Sequence, residues 1–243
     1  MNTKQNILLL TNLLIFDIYS MRNLILLLKK IAIFNTIFIN FRLFPYNIAL
    51  RFPVIVYKNT KFVKMKGNIV LNVPIKTGLL KIGVPCLGLE NNKKLRTIIE
   101  LQGTLIVNGN SVVGKGCRIS IAKEARLTFG PNFSISGRTE IICQKEITFG
   151  GDCLLSWDIL IMDTDFHKIL IDNIIINKPK PILIGNHVWI GCRNTILKGV
   201  TIADNTIISA NSTITQSFSE KNCIIGGNGK MADVIKRNIN WIK

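Results

Sequence analysis

Two histidines are all this chain offers for proton transfer by imidazole, and one of them, His167, lies in an acidic setting: Met162-Asp163-Thr164-Asp165-Phe166-His167-Lys168. An imidazole with an ordinary pKa of about 6.5 is largely neutral near pH 7, so its free nitrogen can accept a proton from a hydroxyl. A carboxylate or carbonyl must hold the other nitrogen to fix the tautomer, and Asp163 and Asp165 are the local candidates. Upstream, Trp157 and Asp158 pair an aromatic face with a carboxylate. That combination suits the lining of a ligand cleft, although a packing role is equally open. Cys192 has no separate base beside it in the sequence and is not expected to act as a nucleophile. With two histidines, no C-x-x-C pair and no other ligand cluster, no metal site is expected.

The elements that position these groups are announced by a beat of six. Across residues 184–219, Ile184, Ile190, Ile196, Ile202, Ile208 and Ile214 recur without a slip. The position after each is mostly small, and the fourth position after is mostly small or β-branched. A period of six fits neither a helix nor simple strand alternation. It fits a triangular coil in which each side takes one hexapeptide and three sides close a turn of roughly 18 residues. The aliphatic residues then stack turn on turn into one continuous core. The beat returns earlier with slips, at Val107, Val113 and Ile119, then at Phe129, Ile135, Ile141 and Ile147, and again at Phe149, Leu155 and Ile161. It stops across residues 162–183, and a polar segment containing His167 takes its place. In a repeat protein such an interruption is a loop thrown out from a rigid coil, where function concentrates.

Composition frames the rest. Hydrophobic residues make up 48% of the 243, enough for a large core and against general disorder. Lys and Arg outnumber Asp and Glu by 31 to 14, a net charge of +17 that favours anionic partners. No recognised nucleic-acid motif accompanies it, so nucleic acid is not an expected partner. Residues 24–44 mix Leu, Ile and Phe with Lys29, Lys30 and Arg42, which reads as amphipathic helix ended by Pro45. Such a segment caps the rest of the protein or rests on a membrane surface. No charge-free stretch reaches the roughly 20 residues needed to span a bilayer, and no cleavage signal is evident. Met21 is a second candidate start beside Met1. The six cysteines fall at repeat-like positions, where Cys acts as a small buried hydrophobe in a reducing, cytoplasmic setting. The expected order is a basic helical segment over residues 1–60, the coil over 61–226 with its loop at 162–183, and a turn and short helix over 227–243.

Three stretches together resemble the hexapeptide-repeat acetyltransferases, in particular their sugar and polysaccharide O-acetyltransferase branch. They are Gly151-Asp-Cys-Leu-Leu-Ser-Trp157-Asp158-Ile-Leu-Ile-Met162-Asp163-Thr-Asp165-Phe-His167, then Gly185-Asn-His-Val-Trp189-Ile-Gly191, then Gly199-Val-Thr-Ile-Ala-Asp-Asn-Thr-Ile207. The closing residues 234–241 are similar to the family's final helix. The resemblance runs from about Gly103 to the end and implies an all-β solenoid, a left-handed parallel β-helix with helical ends. It implies an acetyl-CoA donor, a sugar or polysaccharide acceptor, and direct transfer with His167 as general base. Trp189, Gly191, Cys192, Ala210 and Thr215 match cofactor-groove positions, and Lys236 and Arg237 match the basic end that meets the nucleotide phosphates. Homotrimers that share their sites between neighbouring subunits are implied as well. Cys192 replaces the family's frequent serine, and Gly227-Asn-Gly-Lys-Met-Ala-Asp233 replaces its usual closing turn. An amine-acetylating enzyme of the same fold and a non-catalytic β-helical scaffold are the alternative readings. On the main one, this is a cytoplasmic enzyme of surface-polysaccharide biosynthesis in peripheral contact with the inner membrane face.

Overall fold

A computed structural model describes residues 29–86 and 94–243. The expectations for the first 28 residues, including the choice between Met1 and Met21, lie outside the described residues. From Val54 onward the chain winds into the expected left-handed parallel β-helix. Three parallel sheets form its sides, and six turns contribute a strand to all three.

The hexad register explains why each side is a short strand. Ile135 pairs with Val113 on one neighbouring turn and with Leu155 on the other, and Ile141 pairs likewise with Ile119 and Ile161. Inward residues therefore stack on their equivalents, and nearly every hexad aliphatic is fully buried. Within the core Phe129, Phe133 and Phe149 cluster, with Phe133 lying 4.1 and 4.8 Å from its two neighbours' ring centroids. Cys117, Cys143, Cys153 and Cys223 are buried in the same core, and all six cysteines are free thiols.

The corners carry the left-handed backbone that lets a chain turn after so short a strand. One corner stacks Asn132, Asp152, His187, Asn205 and Asn222, all at positive φ, which Asn and Asp tolerate better than other side chains. Four of them donate a backbone N–H to the turn below, for example Asp152 to Pro131 O at 2.7 Å and His187 to Gly151 O at 2.7 Å. At this corner the turns touch so closely that a Cβ on Gly130 would lie 2.2 Å from the backbone of Gly150.

Both ends depart from expectation. The helix Ile33–Leu43 packs on the first strand, Val54–Val56, with the buried Asn40 accepting from Val54 N (3.1 Å) and donating to Val54 O (2.7 Å). That strand belongs to the coil, so the β-helix begins inside the stretch assigned to the helical segment. The expected C-terminal helix is a strand. Asp233–Arg237 pairs antiparallel with Cys223–Gly226, the last strand of the coil. An open coil end presents a row of unpaired backbone groups, and an added strand satisfies them. So short a run containing β-branched Val234 and Ile235 nucleates a helix poorly.

Candidate active site

The interruption at residues 163–181 leaves the coil after the strand Leu160–Met162 and returns at Ile182–Ile184. It carries a small antiparallel hairpin, Leu170–Ile171 against Ile174–Ile175. Asp163 fixes its root. The Asp163 side chain is fully buried, and its carboxylate accepts the backbone N–H groups of Gln144 (2.7 Å), Lys145 (2.7 Å) and Glu146 (2.8 Å) on the turn below. Asp163 thus faces the coil corner and holds the loop's foot, rather than the ring of His167. Burial, followed by the charge of Asp163, pushes the adjacent Cys143 thiol well above its ordinary range.

Asp165 and Asn177 shape the segment that bears His167. The backbone N–H of His167 donates to Asp165 O at 2.7 Å. Asn177 Nδ2 donates to His167 O (2.7 Å) and to Asp165 Oδ2 (2.9 Å), while Asn177 Oδ1 accepts from Ile169 N (2.7 Å). Lys198, on the next turn of the coil, donates to Asp165 Oδ2 and to Asn177 O at 3.1 Å. The bonds from Lys198 and Asn177 hold the Asp165 carboxyl below the usual carboxylate range. His167 itself is exposed, and among the described residues no group hydrogen-bonds its ring. It lines a cleft of about 230 Å³ with Gln144, Thr164, Phe166, Lys168 and Asn177. A clamped backbone and an unengaged imidazole at an open cleft suit proton exchange with a bound hydroxyl.

The other expected site residues gather at a different corner. Trp157 and Asp158 precede the strand Leu160–Met162, whereas His167 follows it, so one chain does not bring them together. Asp158 is ion-paired to Arg138 at 2.9 Å. Above Asp158 on the same corner lie Gly191 and Cys192, then Ala210, where Asn211 N donates to Cys192 O at 2.9 Å. Gly191 is required there, because a Cβ would lie 2.8 Å from both Ala210 N and Ile208 O. These small residues make a ledge along which an extended ligand can approach backbone. Trp189, at 37% exposure beside this ledge, is oriented by its Nε1–H bond to Ser156 Oγ (3.1 Å). Thr215 falls instead one strand further on, past Thr213–Ile214 and near the Lys198 corner.

The tail reshapes the remainder. Trp241 stacks on His187 at 4.1 Å and lies 5.9 Å from Trp189. His187 Nε2 lies 2.9 Å from Trp241 O, and Trp241 Nε1 donates to His187 O at 3.0 Å, so His187 is engaged in packing the tail. Lys236 and Arg237 are exposed on the closing strand, with Arg237 paired to Glu220 at 2.8 Å. Sequence reasoning missed the clamp of Asn177 and Lys198. No periodicity marks a loop asparagine, and only the fold shows that Lys198 lies beside the loop. Among the described residues, no group of three His, Cys, Asp or Glu side chains is placed to hold a metal, and no helix is long and apolar enough to cross a membrane.

Comparison with known proteins agrees with this fold. The family described as bacterial transferase hexapeptide (six repeats) matches residues 181–216. An uncharacterised 24.8 kDa protein in the cps region of Klebsiella pneumoniae is 30% identical over 203 residues, covering 83% of this chain and 84% of its own length. A polysialic acid O-acetyltransferase of Escherichia coli O1:K1 is 31% identical over 140 residues, 56% of this chain, and the chain spans only 42% of that protein's length. Among solved structures, the polySia-specific acetyltransferase NeuO superposes with a TM-score of 0.57 at 22% identity, over 78% of this chain and 84% of that one. The polysialic acid O-acetyltransferase OatWY gives 0.50 at 24% identity, over 76% and 90%. At these identities the structural likeness establishes the fold.

Proposed function

Because the chain belongs to the hexapeptide-repeat acetyltransferase family, in its sugar and polysaccharide O-acetyltransferase branch, we propose that it transfers an acetyl group from acetyl-CoA to a hydroxyl of a surface polysaccharide or its precursor. The observation that carries this reading is the His167 cleft: an unengaged imidazole on a loop held by Asn177, Asp165 and Lys198. His167 takes the proton of the acceptor hydroxyl as that oxygen attacks the thioester carbonyl carbon. The carbon–sulfur bond then breaks, and the imidazolium returns the proton to the departing thiolate. Trp189 and the ledge of Gly191, Cys192 and Ala210 are suited to the pantetheine arm. Thr215, Lys236 and the partly engaged Arg237 lie further along the chain toward the nucleotide end. Trp157 and Asp158 are assigned to the acceptor side.

A homotrimer is the assembly this reading requires. One chain's His167 and its own ledge stand at opposite ends of a strand, so a neighbouring copy must complete the site. The hairpin supports this, because Phe166, Ile169, Leu170, Ile171 and Ile174 are each more than half exposed, an apolar surface that a monomer would leave in water. We place the enzyme in the cytoplasm, in peripheral contact with the inner membrane face. The support is the helix Ile33–Leu43, whose Ile33, Phe34, Ile37, Phe38 and Phe41 are exposed beside Lys29, Lys30 and Arg42. The relatives' names, a protein in a cps region and a polysialic acid O-acetyltransferase, support the capsular setting.

The test is the chemical nature of the product. Incubation with radiolabelled acetyl-CoA and isolated glycans should yield label that hydroxylamine releases, as an ester does. Label resistant to hydroxylamine would mean transfer to an amine, and no incorporation into any glycan would favour a scaffold.

A further inference from the structure

The two ends of the coil are finished differently. The strands Val54–Val56, Thr60–Val63 and Asn68–Leu71 stand first in the three sheets, and the helix Ile33–Leu43 lies across their free edges. Thr36 Oγ1 accepts from Val56 N (3.0 Å), Asn35 Nδ2 donates to Thr60 O (3.0 Å), and Ile39 enters the core with Val54, Val56 and Ile69. The opposite face of the helix therefore looks away from the coil, along its axis. Phe34 is 88% and Phe38 55% exposed there, with Ile33, Ile37 and Phe41 beside them.

Residues 29–86 hold ten Lys and Arg and no Asp or Glu. Among the described residues, one ion pair reaches into this stretch, Glu100 to Lys64 at 2.8 Å. At the far end an antiparallel strand closes the coil, and Glu220 and Asp233 stand among its basic residues. Exposed aromatic side chains with cations around them match the headgroup region of an anionic bilayer. A second copy seated on this face would set two acid-free surfaces against each other, and nucleic acid would leave the apolar face in water.

We infer that this end stands on an anionic bilayer with the coil axis upright, and that the coil is a spacer setting the His167 cleft at a fixed height. In one sheet Thr60–Val63, Thr97–Leu101, Arg118–Ile121, Glu140–Cys143 and Leu160–Met162 follow one another, and the loop leaves after the last. Four spacings of about 4.8 Å and a helix layer of about 10 Å, less the depth to which such a helix sinks, put the cleft roughly 20–25 Å above the surface. A single sugar on a membrane lipid spans only a small part of that height. The acceptor is therefore a membrane-anchored glycan chain, acetylated several sugars out from its lipid. This rests on the acetyl transfer and the membrane contact proposed above, and adds the height and the position on the acceptor.

The height is measured on vesicles, without turnover. A dye is placed on the full chain at Tyr46→Cys, beside the helix, or at Lys168→Cys, beside the candidate base, with Cys86 and Cys192 replaced by Ser. Energy transfer to a rhodamine lipid is read on phosphatidylglycerol vesicles, with phosphatidylcholine vesicles as the control. The chain should bind the anionic vesicles at least roughly ten-fold more tightly than the neutral ones, with the Tyr46 dye at the surface and the Lys168 dye roughly 20–25 Å away from it. Phe34→Ser/Phe38→Ser alters only exposed side chains, so it should keep the wild-type melting profile and bind at least roughly ten-fold more weakly. Absence of vesicle binding, or binding that the double variant retains, would overturn the contact and leave the face to another part of the chain or to a second copy. Both dyes at the surface would overturn the upright coil. In cells, the acetyl groups lost in His167→Ala should map by mass spectrometry to sugars beyond the first of the lipid-linked glycans. Acetylation of the lipid-proximal sugar would overturn the acceptor position. If no glycan ester depended on His167, the acceptor position would fall together with the acetyl-transfer reading, and the two dye distances alone would decide the height.

Discussion

Replacing Asp163 with alanine should destabilise the protein before it says anything about chemistry. The carboxylate is fully buried and accepts three backbone N–H bonds of 2.7, 2.7 and 2.8 Å from consecutive residues of one coil corner. Hydrogen bonds to a charged group contribute about 1.5–3 kcal/mol each, but the three share one desolvated carboxylate, so they do not simply add. Removing it leaves three donors without a protein acceptor, and we expect a loss of about 3–5 kcal/mol. At this chain length that lowers the melting temperature by roughly 10 °C. Asp163→Asn is nearly as informative. Its amide keeps one acceptor toward Gln144 but turns a donor toward two other donors, so about 3 kcal/mol should still be lost. Urea unfolding of the two variants against wild type is the assay. A midpoint unchanged in both, combined with lost acetyl transfer, would refute the argument and make Asp163 the partner of His167.

Other outcomes follow from the same contacts. Asn177→Ala releases the His167 carbonyl, and the resulting misplacement should lower kcat by roughly 10–100-fold with the KM for acetyl-CoA unchanged, as steady-state kinetics would show. Phe133→Ala empties the centre of the three-ring stack and should cost about 3–5 kcal/mol in chemical unfolding. The lowered pKa of Asp165 means its bonds to Lys198 and Asn177 support the loop above the ordinary carboxylate range. That support should be lost as pH falls below about 4, and an NMR titration of the Asp165 carboxyl should move upward in Lys198→Met.

The coil was legible because its signal is redundant. A one-residue slip would turn Ile184, Ile190 and Ile196 out of the core and break their stacking on the turns below and above, so the period of six had to appear in the sequence. His167 stands out because it lies where that beat fails. The role of Asp163 was not legible, since a carboxylate near a histidine in sequence resembles a catalytic partner until its direction is known. The closing strand was misread as a helix for a related reason. Residues 233–237 take their conformation from the open edge of Cys223–Gly226, which is a tertiary demand rather than a local preference. Lys198 and Asn177 lie 21 residues apart and meet only because the loop folds back on the next turn.

His167 is proposed as the base of an acetyl transfer. Its most direct test is acceptor-dependent thiol release from acetyl-CoA by wild type and by His167→Ala, with CoA binding measured in parallel. The variant should fold and bind CoA as wild type does but release thiol at least roughly 100-fold more slowly. Equal release by the two proteins would contradict it.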